Sequence, residues 1–268
     1  MIFRAGIGVA LTLVVLSTAV SQAWALLSHR AVYDLSEGRL DSGSDVAAVS
    51  GRLVVEAIEE CDGYILNQRI VTRTVGASGQ ETLSDYRLAL WESRKGEYLR
   101  FNASSLVDGS LVHQDLGKAN LPVGGGAGRA MFTSPEGLEF DLPANTVFPV
   151  AHNMLVLRSA RAGRSSVSAE IFDGSSDGRY DVFTAIGRRH VESDEARRGQ
   201  KLLDDLPFWH VRMGYFPSGS RAEQPEFEIG YNLFDNGVAG DLVLDYGNFV
   251  IAGELRRLEP LPTPVCTE

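Results

Sequence analysis

Five histidines, His29, His113, His152, His190 and His210, are the side chains best suited to proton transfer or metal binding near neutral pH. They are scattered singly. No H-x-H or H-E-x-x-H spacing puts two imidazoles on one face of a strand or helix, so zinc binding has weak support and no metal is assigned. Asp173-Gly174-Ser175-Ser176-Asp177-Gly178 opens like a calcium loop, but Thr184 stands where the bidentate Glu belongs, and a tight turn explains the Asp and Gly residues. In the glycine cluster Gly124 to Gly128, Arg129 occupies the last glycine position of a G-x-G-x-x-G cradle. A loop from Leu121 to Pro135 is expected there instead. No G-x-S-x-G elbow presents a serine, although a triad assembled from distant residues is recognised in space and stays open. Glu59-Glu60 and Asp204-Asp205 read as solvated turn residues rather than as a general acid and base. No catalytic residue or cofactor is assigned, and a non-enzymatic role is expected.

The two cysteines are the next candidates. Exported proteins meet an oxidising environment, so a lone pair points to one disulfide, Cys61 to Cys266, with free thiols or an intermolecular bridge as alternatives. Cys266 follows Pro260, Pro262 and Pro264 in a tail that cannot continue as a central strand and would fray unless tied down. A bond across about 205 residues would remove on the order of 5 kcal/mol of chain entropy at most. A redox role would favour C-x-x-C, which is absent.

Aromatic residues form the third set. Tyr33, Tyr64, Tyr86, Trp91, Tyr180, Trp209, Tyr215, Phe227 and Tyr231 recur along segments of alternating polarity. Packing within a sheet core accounts for such faces. The sharper reading is an apolar ligand face, in which Tyr33, Tyr64, Tyr86, Trp91, Trp209, Tyr215 and Tyr231 line the concave side of an incompletely closed sheet and hold a lipid or peptide.

The elements that must carry these residues are mostly strands. Ala31, Tyr33 and Leu35, then Tyr64, Leu66 and Ile70, then Tyr86, Leu88 and Leu90 alternate with polar neighbours. The same holds for Val167 to Ile171, Tyr180 to Ile186, Trp209 to Tyr215 and Phe227 to Leu233. Turn signals such as Cys61-Asp62-Gly63, Asp108-Gly109, Asn236-Gly237 and Tyr246-Gly247-Asn248 separate them. The pattern predicts a mainly β fold, a long antiparallel meander. One segment departs from it: Ala151, Met154, Leu155 and Val156 fall at helical spacing between Pro149 and Gly163, with Arg158 and Arg161 in the last turn. One principal helix is expected there, packed on or inside a curved sheet. Glu192 to Asp205 is left open between a loop and a short helix.

Residues 1–25 read as a secretory signal. Arg4 supplies the basic end, Ile7 to Val20 the apolar stretch and Ala23-Trp24-Ala25 the cleavage pattern. Ser17, Thr18, Ser21 and Gln22 interrupt the run, which disfavours a membrane anchor. The expected mature chain, 26–268, is one domain with a proline-rich tail and does not span a membrane. Of the 25 basic residues only Lys95, Lys118 and Lys201 are lysines, a bias that fits a GC-rich bacterial genome and hence the periplasm. With 35 acidic residues and a net charge of −10, nucleic acid is not expected as a partner.

Particular strings carry more than composition does. Leu27-Ser28-His29-Arg30-Ala31-Val32-Tyr33-Asp34-Leu35, Ala185-Ile186-Gly187-Arg188-Arg189 and Trp209-His210-Val211-Arg212-Met213-Gly214-Tyr215-Phe216 occur in order. Pro225-Glu226-Phe227-Glu228-Ile229, Asn236-Gly237-Val238 and Leu244-Asp245-Tyr246-Gly247-Asn248-Phe249 follow. With Cys61 and Cys266, the chain resembles the EipB-type cell-envelope integrity proteins of alphaproteobacteria over nearly its whole mature length. The resemblance implies a periplasmic β-spiral: a long antiparallel sheet wound into a semi-open barrel around a helix and closed by the disulfide. It also implies a part in envelope integrity and a periplasmic tetratricopeptide-repeat partner, and no catalytic residues. A scaffold or adaptor acting through protein contacts is the leading expectation. A carrier of lipid or lipoprotein acyl chains comes second and an envelope-remodelling hydrolase last. A filled interior with an exposed groove would favour the adaptor, an aromatic-lined cavity the carrier, and a Ser or Asp within hydrogen-bond reach of one of the five histidines, inside a cleft, the hydrolase.

Overall fold

A computed structural model describes residues 26–124, 126–191 and 197–266. The expected signal segment and its cleavage site lie outside the described residues. The chain runs through β1 (His29–Leu40), β2 (Val46–Glu59), β3 (Gly63–Gly76), β4 (Glu81–Ser93), β5 (Tyr98–Val107), β6 (Ser110–Asn120), β7 (Gly128–Ser134), β8 (Glu139–Leu142) and β9 (Thr146–Val147). The helix α1 (Pro149–Arg161) interrupts the strands, which resume as β10 (Ser166–Ile171), β11 (Tyr180–Val191), β12 (Pro207–Pro217), β13 (Phe227–Phe234), β14 (Ala239–Asp245) and β15 (Phe249–Pro260). A 3₁₀ turn, Lys201–Leu203, lies in the charged stretch before β12, whose residues 192–196 lie outside the described set.

Among the described residues all fifteen strands join one sheet, in the order β8-β7-β6-β5-β4-β3-β2-β1-β15-β14-β13-β12-β11-β10-β9. Neighbours along the chain are antiparallel hairpins. The exceptions are the β1–β15 ladder, which pairs the first strand with the last from His29↔Pro260 to Leu40↔Phe249, and a short parallel contact of β9 with β10. The two edge strands, β8 and β9, are separated in sequence only by residues 143–145. So short a connection brings the edges together, and the sheet must curl into a nearly closed barrel. The expected meander, wound around one helix, is what the chain forms.

The helix forms where its spacing predicted. Phe148 leaves the preceding strand in an extended conformation, Pro149 takes the first helical position, and Gly163 at φ 72° stops the helix where a side chain would be strained. Its N-terminal part packs with Tyr64, Leu90, Leu99, Phe101, Phe132 and Phe172. Its C-terminal part packs with Ile171, Val182, Trp209, Val211 and Met213. The helix therefore braces the two sides of the curl from within.

One expectation is corrected. The loop predicted from Leu121 to Pro135 ends early, and Gly128–Ser134 is the strand β7, pairing with both β6 and β8. Ala130 and Phe132 point into the core, while Arg129 and Met131 alternate with them. The glycine cluster had hidden a short but regular period-two run.

Candidate functional site

Strands β3 to β7 show opposite chemistry on their two faces. The inner residues are apolar and packed: Tyr64, Leu90, Leu99, Phe101, Ala119, Ala130 and Phe132. Phe101 lies 5.0 Å from Phe132 and 5.7 Å from Phe172, ring centre to ring centre, in tilted or edge-on geometry that adds to the area buried. Among them sits a carboxylate. Glu92, 1% exposed, points inward from β4 and accepts the backbone N–H groups of Val150 at 2.7 Å and Ala151 at 2.8 Å. These are orphan donors of the first turn of α1, so a strand side chain caps the helix across the interior. Burial pushes the Glu92 carboxyl up to about 7, against the two N–H donors, which hold it down.

On the outer face a row of side chains crosses the same strands in register. Ile65 faces Trp91, Trp91 faces Arg100, Arg100 faces Lys118, and Lys118 faces Met131. With Asn67, Asn102, Leu116 and Thr133 they line an open groove of about 630 Å³. Its far side bends at a bulge, where Leu116 and Gly117 of β6 oppose Ser134 and Phe132 of β7. The Arg100 guanidinium lies 5.6 Å from the centre of the Trp91 ring, within cation–π range.

The charges here are unlike those elsewhere on these strands. Arg30, Arg39, Arg52, Arg69, Arg73, Arg87 and Arg129 each meet a carboxylate. Among the described residues of β1 to β7, Arg100 and Lys118 are the arginine and lysine without one, and they stand directly opposite each other. Like charges facing across a ladder are unfavourable. An acidic protein that leaves two cations unpaired beside a half-buried tryptophan presents an anion-seeking, partly apolar surface.

The residues predicted as a ligand face separate into two groups. Tyr33, Tyr64 and Trp209 are buried core members. Tyr33 donates to the Ala239 carbonyl at 2.7 Å, and Tyr215 stacks on Phe227 at 4.5 Å. Tyr215 and Tyr231 pack against the core, and burial raises Tyr86 to about 12. All six point inward. Trp91 alone lies on the outer face, in the groove. Sequence reasoning passed over Ile65, Arg100, Lys118 and Met131. Its one available signal was phase, since Trp91 is out of step with Tyr86, Leu88 and Leu90.

Cys61 and Cys266 form the expected disulfide, with Cα atoms 5.5 Å apart. It pins the tail to the β2–β3 turn, which Arg94 grips through Glu59 and the carbonyls of Glu60 and Cys61 while lying over the Tyr64 ring. The other chemistry-bearing cluster is His113 with Asp115 and Ser176. The carboxylate and the hydroxyl both meet the same ring nitrogen, Nε2, at 2.9 and 3.2 Å. A catalytic relay needs them on opposite nitrogens, so this arrangement is not a triad. Among the described residues no group of three His, Cys, Asp or Glu side chains is placed to hold a metal ion. No described helix is long and apolar enough to cross a membrane.

A curled antiparallel sheet around a bracing helix, disulfide-pinned and grooved on its outer wall, defines the chain as a β-barrel-like protein. The sequence matches the EipB-like family over residues 20–262, and the chain belongs to that family. It is 29% identical over 247 residues to the cell envelope integrity protein EipB of Brucella abortus (strain 2308), covering 91% of this chain and 87% of that one. A crystal structure of a β-barrel-like protein of domain of unknown function DUF1849 from Brucella abortus superposes with a TM-score of 0.82 at 28% identity. The match covers 89% of this chain and 99% of that one.

Proposed function

We propose that the protein supports the integrity of the bacterial cell envelope as a non-enzymatic periplasmic adaptor, exported by its N-terminal segment and acting through residues 26–268 as one domain. One observation carries this reading: the inward aromatics pack against the helix and the core, while the outer wall offers a groove with unpaired charge. The name of the Brucella relative supports the envelope role. A tetratricopeptide-repeat protein, implied by the family resemblance, is one partner the adaptor would engage.

Photo-cross-linking in cells tests it. A benzophenone amino acid placed at Leu116, in the groove, is compared with one at Val243, on the outer face of β14; the two native residues are equally exposed, at 37% each. Cross-links to a protein from position 116 and not from 243 are expected. Equal yields from both positions, or adducts only with lipid, would contradict the adaptor.

A further inference from the structure

We infer that the occupant of the groove is an acidic amphipathic helix of a partner protein, laid across strands β3 to β7; this rests on the adaptor reading and specifies its partner. The backbone of these strands is already paired on both sides, so an added strand finds no free edge. Recognition must come from side chains. Trp91, Arg100, Lys118 and Met131 follow one another at the spacing of adjacent strands, about 4.8 Å, and so span roughly 14 Å. A helix rises about 1.5 Å per residue, so positions i, i+3, i+7 and i+10 advance at nearly the same interval along one side of it. The complementary face carries an apolar residue against Trp91, acids against Arg100 and Lys118, and an apolar residue against Met131. The acids relieve the repulsion between the two cations, and tryptophan and arginine are among the residue types that dominate binding energy. An anionic membrane fits less well. Two cations contribute only about 1 kcal/mol each at a lipid surface, and the protein bears a net charge of −10.

The test uses the purified mature protein and fluorescein-labelled peptides of about sixteen residues, long enough to form helix. One carries Leu, Glu, Glu and Leu at i, i+3, i+7 and i+10 in an Ala/Gln background, and its counterpart carries Lys for both Glu. Fluorescence anisotropy should show binding of the Glu peptide alone. Arg100→Glu, Lys118→Glu and Trp91→Ala should each weaken it by about tenfold or more, and the double charge reversal should bind the Lys peptide instead. Circular dichroism melts confirm that the variants are folded. Equal binding of the two peptides, or no binding of either, overturns the helix assignment. If groove cross-links to a protein persist in that case, the adaptor reading survives alone. Groove-dependent binding to phosphatidylglycerol vesicles, or a dimer abolished by Arg100→Glu, would likewise overturn it in favour of lipid or a second copy.

Discussion

Trp91 and Glu92 are neighbours on β4 and serve opposite sides of the sheet. Glu92 faces inward, fully covered, with both oxygens engaged by the first turn of α1. Trp91 faces outward and shares a groove with two cations that have no carboxylate. Inside, burial makes an unmatched polar group costly, so the helix donors meet an acceptor. Outside, water tolerates an unfavourable Arg100–Lys118 pairing that a partner can relieve. Strand parity thus separates the residues that hold the barrel together from those that line its open groove.

The largest expected effect is on the inside. Phe101→Ala should cost about 3–5 kcal/mol, since the ring touches Phe132 and Phe172 and the site cannot collapse around those two aromatics; urea unfolding measures it. A loss no greater than that at a surface site would break the comparison. Cys61→Ser comes next, at about 2–4 kcal/mol in oxidising buffer, with the fold largely intact. Equal melting temperatures with and without reductant would show that the staple adds nothing.

Glu92→Ala should cost about 1–3 kcal/mol, because it leaves two helix donors without an acceptor. Glu92→Gln sharpens this through pH. The folded state holds the Glu92 proton more tightly than the unfolded chain does, so this group's contribution falls as pH rises from its ordinary 4.5 through about 7. His152, held down to about 4 by burial, works in the opposite sense and loses stability as pH falls from 6.5. The difference between the unaltered protein and Glu92→Gln isolates the carboxylate, and an unchanged slope would show that it does not titrate there. Smallest of all, Arg100→Ala should shift stability by no more than about 0.5 kcal/mol. A larger loss would place Arg100 among the structural residues.

Much of the inner region was legible in the sequence because it is written locally. Period two marks the strands, Ala151 to Val156 the helix, and two cysteines their own pairing. The connections that shape the barrel are not local. Nothing in His29 to Leu40 announces pairing with Phe249 to Pro260, and nothing in Glu92 announces a helix terminus that begins at Pro149. The groove was harder still. Ile65, Trp91, Arg100, Lys118 and Met131 become a row only once the register of four ladders is set. One of its strands, β7, was masked by the glycines before it. The phase of Trp91 against Leu90 was the single local sign that an aromatic had been placed outside.

The most direct test places the two faces in competition in living cells. Cells whose only copy carries Arg100→Glu and Lys118→Glu should become sensitive to detergent, although the variant accumulates and melts as the unaltered protein does. Full detergent tolerance in those cells would contradict the claim that the outer groove, rather than the interior, does the protein's work.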